Sequence, residues 1–133
     1  MSKQPSDVIG LALGEGYQLQ FFEGDIPANP LLVAAFSKAA DPLGFAHWSP
    51  TDALKAARRI GSPIRVDMRF WIGERPTGEG FIAREVRTGL CVIQLELTGL
   101  PQPMRIALPD ELVGNLRIKF SRFAGRHLSG TKP

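Results

Sequence analysis

Residues 64–72 of this chain read Ile64-Arg65-Val66-Asp67-Met68-Arg69-Phe70-Trp71-Ile72. Apolar side chains stand at every even position of the run, and three of the four odd positions carry a charge. Successive side chains of a strand point to opposite faces of a sheet, so this alternation predicts a strand with its even residues in the core. The outer face would then carry Arg65, Asp67, Arg69 and Trp71.

The segments around this strand predict further strands joined by short turns. Residues 81–86 and 91–97 read as a hairpin around a tight turn at 87–89, and a short strand follows at 104–108. Upstream, the run Tyr17-Gln18-Leu19-Gln20-Phe21 alternates in the same way and predicts a first strand near residues 16–22.

Two helix-start signals containing proline lie between the first strand and residue 63. Asn29-Pro30 predicts a helix that extends through Ala39 and stops before Asp41-Pro42. Ser49-Pro50 predicts a second helix, with Gly61 as its stop. The exposed side of this second helix carries Lys55, Arg58 and Arg59.

The alternation of cations and apolar residues at 116–127 predicts a last strand, after a single helical turn at 109–112. Leu116, Ile118 and Phe120 would face the core, while Arg117 and Lys119 would present positive charge outward. Six strand candidates result, five of them consecutive. We therefore expect an α+β fold, either a small, strongly bent antiparallel sheet or a six-stranded barrel, with two short helices inserted after the first strand. An open sheet with both helices on one side is the alternative.

Length and composition predict one domain over residues 1–133, with flexible tails at 1–7 and 127–133. The hydrophobic fraction of 44% is in the ordinary globular range. A single cysteine excludes an internal disulfide. The N-terminus does not resemble a secretory signal and no apolar run is long enough to span a membrane, so we expect a cytoplasmic protein with no membrane partner.

The net charge of +3 is placed unevenly along the chain. Residues 1–60 contain five cations and six acids, whereas residues 61–133 contain eleven cations and seven acids. Most cations of the second half are arginines, which suit bidentate contacts with phosphate or carboxylate. The same bias is also typical of an arginine-rich bacterial composition.

Few residues have the pattern of a catalytic or metal site. The two histidines, His47 and His127, are far apart in sequence, and Ser49 beside His47 already serves as a helix cap. Cys91 stands on an inward parity and is predicted to be a small core residue. We therefore expect a non-enzymatic protein without a metal or cofactor.

The remaining candidates are arginines and aromatic residues that would share outer strand faces. Such a basic and aromatic surface is typical of proteins that bind single-stranded nucleic acid, where cations follow the phosphates and rings stack on bases. The prediction is an accessory nucleic-acid-binding protein, with Trp71 stacking and seven cations contacting phosphate. The predicted site comprises Arg58, Arg59, Arg65, Arg69, Trp71, Arg117, Lys119 and Arg122.

Two alternatives explain the same residues. Trp71 could fill a contact between a helix and the sheet while the arginines pair with Asp67, Glu85 and Glu96 across strands. The protein could also be an interaction or regulatory module that docks an acidic partner or forms a homodimer. Pairing of an apolar edge at Cys91–Leu97 with a partner strand would favour this module.

The run Arg65-Val66-Asp67-Met68-Arg69, followed by strand, turn and strand, resembles the PilZ barrel. Members of that family bind a cyclic dinucleotide through an arginine-rich leading segment and an Asp-x-Ser-x-x-Gly turn. At the position where the turn would align, this chain has Arg84-Glu85-Val86-Arg87-Thr88-Gly89, of which only Gly89 matches. The resemblance covers about half of the chain, and it implies a barrel that does not bind the dinucleotide in the usual way.

Overall fold

A computed structural model describes residues 8–24 and 28–129 of the chain. Eight strands form one antiparallel, nearly closed, barrel-like sheet in which each strand pairs with the next along the chain. The strands are β1 (Ile9–Gly14), β2 (Tyr17–Glu23), β3 (Leu32–Lys38), β4 (Asp41–Trp48), β5 (Val66–Ile72), β6 (Arg75–Arg84), β7 (Cys91–Leu97) and β8 (Met104–Leu108). Helix α1 (Pro50–Arg59) connects β4 to β5, and helix α2 (Asp110–Ser129) follows β8.

The predicted α+β class and the antiparallel, barrel-like sheet are confirmed, but the described residues contain eight strands instead of six. The helix predicted after Asn29-Pro30 is wrong, because β3 occupies that segment. Leu32, Ala34 and Phe36 are fully buried and alternate with less buried neighbours, which is the period of a strand. Pairing with β2 on one side and β4 on the other overrides the local start signal.

The strand predicted at residues 116–127 is also wrong, because these residues belong to α2. Leu116, Phe120 and Phe123 are fully buried at helical spacing, whereas Ile118 is 49% exposed. The two helices are therefore not both inserted after the first strand. Of the predicted flexible tails, residues 1–7 and 130–133 lie outside the described residues, and residues 127–129 form the last turn of α2.

The second predicted helix is confirmed as α1. The Ser49 side chain accepts a hydrogen bond from the Asp52 backbone N–H at 3.2 Å, and Gly61 follows the helix with a φ of +90°. Ala53, Ala56 and Ala57 bury one face of α1. The opposite face carries Lys55, Arg58 and Arg59 on the surface, as the sequence predicts.

Helix α2 packs against α1, and its buried residues belong to the same core as those of the strands. The Phe120 ring lies 4.8 Å from the Trp48 ring and 6.0 Å from the Phe21 ring, centroid to centroid, with edge-on geometry in both pairs. The core thus joins the end of β4, where α1 begins, to a residue near the C-terminal end of the chain. Neither described helix is both long and apolar enough to cross a membrane.

Candidate nucleic-acid interface

A groove of about 370 Å³ lies where α1 separates β4 from β5. One face of α1 contributes Asp52, Lys55 and Arg59, which are spaced by three and four residues and so lie above one another on the helix. The sheet wall of the groove is formed by outward residues of the two strands, namely His47, Asp67, Arg69 and Trp71. Trp48, Ala56 and Val66 complete the lining at its buried base.

Two aromatic residues stand opposite each other on neighbouring strands, on the outer face of the sheet. Phe45 of β4 and Trp71 of β5 are cross-strand partners. Their neighbours Ala46 and Phe70 are buried, so strand alternation directs both rings outward. Phe45 is 38% exposed, and Trp71 is half-buried beside the groove. The pair therefore offers a surface on which a planar ring can stack.

Three of the charged side chains that line the groove are cations without an ion pair among the described residues. Within the part of the chain that the structure describes, Lys55, Arg59 and Arg69 form neither an ion pair nor a hydrogen bond through their side chains. Asp67, the acid of the sheet wall, already pairs with Arg65 at 3.3 Å. The remaining acid, Asp52, lies in the first turn of α1, where it complements the helix dipole. The groove accordingly has a net positive charge.

Arg65 is close to this groove but is already engaged. Its guanidinium lies 4.0 Å from the centroid of the Phe81 ring and also pairs with Asp67. Arg65 and Asp67 lie in one segment, so this is not the pairing across strands that the sequence suggested, whereas Arg105 of β8 pairs with Glu85, which follows β6. Among the described residues, no such pairing is found for Arg69.

An acidic boundary limits the positive surface on the side of β6. Arg69 is the cross-strand partner of Glu79, and Glu79 is in turn the partner of Glu96 on β7. Both glutamates are exposed. A polyanion is therefore attracted to the groove beside α1 and repelled from the outer face of β6 and β7.

The predicted site residues fall on three separate surfaces. Arg59, Arg69 and Trp71 line the groove beside α1, with Arg65 next to it. Arg58 and Arg117 lie at the C-terminal end of α1, where the Arg117 guanidinium donates to the Ile60 carbonyl oxygen at 3.2 and 3.3 Å. Lys119 and Arg122 lie on α2 beside the start of β1. Because residues 117 and 119 are helical, they do not extend the outer face of β5.

Sequence reasoning missed two members of the site, Phe45 and His47. Both lie on β4, which was not predicted because Asp41-Pro42 followed an expected helix and Gly44 interrupts the apolar pattern. The sequence has no clear alternation here, because Phe45 and Trp48 fall on opposite parities, and the alternating burial of this segment is seen only in the structure. Lys55 was placed correctly on the exposed side of its helix but was not assigned to the site.

The strand Cys91–Leu97 is not an edge of the sheet. It forms β7, which pairs with β6 on one side and β8 on the other, so it cannot accept a partner strand. Cys91 is buried, as predicted, and burial raises the pKa of its thiol. Among residues 8–24 and 28–129 there is no cluster of three histidine, cysteine or acidic side chains that could hold a metal ion.

Comparison with protein-family models, curated proteins and solved structures gave no match to this chain.

Proposed function

We propose that this protein is a non-enzymatic accessory factor that binds single-stranded nucleic acid in the groove between α1 and β5. The observation that carries the proposal is the cross-strand pair of outward aromatic residues, Phe45 and Trp71, of which Trp71 lines the groove together with three cations that form no ion pair within the described residues. Rings that stack on bases, next to cations that contact phosphates, are the two parts that recognition of single strands requires.

The groove suggests how a strand would lie. Lys55 and Arg59 on α1 and Arg69 on β5 face one another across the groove and would contact successive phosphates. The bases would turn toward the outer face of the sheet and stack on Phe45 and Trp71. A duplex keeps its bases stacked on each other, so it could use only the cations. We therefore expect a preference for single strands and little preference for sequence, because stacking tolerates every base.

The binding test is fluorescence anisotropy of a labelled short oligothymidylate and of a duplex of the same length. The informative variants are Phe45→Ala, which removes a partly exposed ring, and Arg69→Gln, which removes one charge and keeps most of the side-chain length. Arg87→Gln is the matched control, because Arg87 is exposed in the turn between β6 and β7 and does not line the groove.

We expect Phe45→Ala to weaken binding of the single strand by about 1–3 kcal/mol while leaving the weaker binding of the duplex unchanged. Arg69→Gln should weaken binding of both. Equal loss of single-strand and duplex binding on removal of Phe45 would exclude stacking. The proposal as a whole would be wrong if neither nucleic acid bound at low salt.

A further inference from the structure

Two arginine side chains from other elements hold the C-terminal end of α1. Arg117 of α2 donates from Nε and Nη2 to the Ile60 carbonyl oxygen, at 3.3 and 3.2 Å. Arg84, at the end of β6, donates from Nε to the Gly61 carbonyl oxygen at 2.7 Å. A Cβ at Gly61 would lie 2.7 Å from Arg117 Nη2, so the glycine leaves room for the guanidinium. Carbonyl groups at the end of a helix have no partner within it, and these bonds satisfy them.

Arg84 also joins the end of α1 to two further segments. Its backbone N–H donates to the Ser62 carbonyl oxygen at 2.9 Å, and its Nη1 donates to the Gly89 carbonyl oxygen at 2.6 Å. Its Nη2 lies 3.6 Å from Oδ1 of Asp110, the first residue of α2. Gly89 lies in the turn between β6 and β7. Arg84 therefore fixes the end of α1 to the sheet and to the start of α2 at once.

The end of α1 determines where one cation of the groove beside α1 stands. Arg59 lines that groove and is the last residue of α1, directly before Ile60. Residues in the last turn of a helix fray unless their backbone groups are held. Lys55 lies one turn earlier, nearer to the Ser49 cap that holds the other end of α1. Fraying at the C-terminal end would thus displace Arg59 more than Lys55.

Strand pairing does not set the width of this groove. Among the described residues, β4 and β5 pair at one position, Phe45 with Trp71, whereas each pairs with its other neighbour over most of its length. The sheet wall of the groove consists largely of residues beyond that one pair. The distance from Arg59 on α1 to Arg69 on β5 therefore depends on how α1 is packed and on how its ends are held.

We propose that Arg84 and Arg117 are positioning residues of this groove, which hold the last turn of α1 so that Arg59 and Arg69 meet phosphates of one strand. This inference rests on the proposed function. It gives Arg117 a role other than the phosphate contact that the sequence predicted, because its guanidinium donates to the end of α1 and does not line the groove. Arg84 was not among the predicted site residues.

The test exchanges each arginine for lysine, which keeps the positive charge but cannot donate the same forked set of hydrogen bonds. Arg84→Lys and Arg117→Lys are each made with and without Arg59→Gln. Arg105→Lys is the matched control, because Arg105 pairs with Glu85 but lies on β8 and does not line the groove. Circular dichroism shows whether each variant is folded.

Two measurements are made on every variant. Anisotropy of a labelled oligothymidylate at four or more salt concentrations gives the affinity and the slope of log K against log salt. Amide hydrogen exchange followed by NMR, without nucleic acid, reports on the end of α1. The amide of Ile60 is the probe, because it donates to the Ala56 carbonyl oxygen at 2.8 Å in the last turn.

We expect both lysine variants to bind with a slope of about −1.4, the value for two phosphate contacts at about −0.7 each. Between about 50 and 200 mM salt, their affinity should fall by about sevenfold, against about twentyfold for the wild type. Arg59→Gln should weaken binding by the wild type but have little further effect in either lysine variant, because its contact is already lost. Exchange of the Ile60 amide should become faster by about tenfold. Arg105→Lys should change none of these values.

Three results would overturn the inference. The first is a wild-type slope in both lysine variants, since a purely stabilising role leaves the phosphate contacts of the folded protein intact. The second is additivity of Arg59→Gln with the lysine exchanges, which would mean that Arg84 and Arg117 act independently of Arg59. The third is unchanged exchange of the Ile60 amide, which tests the hold on α1 without any ligand.

Failure of the proposed function gives a different result. A wild-type protein that binds no oligothymidylate at low salt would remove the proposed function, and the positioning role with it. A wild type that binds with the expected slope, beside lysine variants that bind in the same way, would remove the positioning role alone.

Discussion

The three cations of the groove beside α1 that form no ion pair determine how strongly salt should weaken oligonucleotide binding. Each phosphate contact to a single strand contributes a slope of about −0.7 to the dependence of log K on log salt. Contacts by Lys55, Arg59 and Arg69 therefore predict a slope of about −2.1. Between about 50 and 200 mM salt, the affinity should fall by about twentyfold.

The double variant Arg59→Gln/Arg69→Gln tests this reasoning quantitatively. Of the three cations only Lys55 would remain, so the slope of log K against log salt should become shallower, about −0.7. Over the same salt range the affinity should then fall by only about threefold. Anisotropy titrations of a labelled oligothymidylate at four or more salt concentrations give both slopes. Arg87→Gln removes an exposed charge elsewhere and should keep the wild-type slope.

Two outcomes would refute the assignment of phosphate contacts. A wild-type slope near zero would mean that no counterions are released, whatever the affinity. A double variant that binds more weakly but keeps the wild-type slope would mean that Arg59 and Arg69 support the fold and do not contact the backbone. Circular dichroism of the variant separates a folding defect from a binding defect.

Other predictions concern the fold. Ala40→Gly should raise stability by about 1 kcal/mol, because Ala40 has a φ of +73° in the turn between β3 and β4; a lower melting temperature would contradict this. Gly44→Ala should cost about 1–3 kcal/mol in urea unfolding, since a Cβ there would lie 2.6 Å from Thr77 Oγ1 and 2.8 Å from Phe70 Cβ. Phe120→Ala should cost about 3–5 kcal/mol, and an effect near zero would mean that α2 does not pack on the aromatic core. Cys91 should react with an alkylating reagent only when the protein unfolds, because it is buried and burial raises the pKa of its thiol. For the same reason, the free energy of unfolding should fall as the pH rises above the pKa of a free thiol. Rapid alkylation of the folded protein would contradict the burial on which these two predictions rest.

The sequence pattern predicted secondary structure correctly where the apolar residues of a segment follow a single consistent period. The strand β5 has four apolar residues on one parity, and α1 has both a cap and a stop. The segment that became α2 is ambiguous, because Leu116 and Phe120 lie on the same face of both a strand and a helix. Ile118 was the deciding residue, and only its exposure in the structure distinguishes the two periods.

The candidate site could be predicted in part for a similar reason. Arg69 and Trp71 share the outer face of β5 by parity, which the sequence shows directly. Their proximity to Arg59 depends on how α1 crosses between β4 and β5, and their proximity to Phe45 depends on strand pairing. Neither relation is encoded in the spacing of a single segment.

The order of the strands also has a consequence for how the chain folds. Because every strand pairs with its neighbour in sequence, the sheet can assemble from hairpins as the polypeptide emerges from the ribosome. The contact between Phe120 and Phe21 forms only after α2 has been synthesised, since it joins residues near opposite ends of the described chain. Until then, Phe21 and Trp48 have no α2 covering them. Nascent chains that stop before α2 should therefore bind chaperones and aggregate more readily than the finished protein.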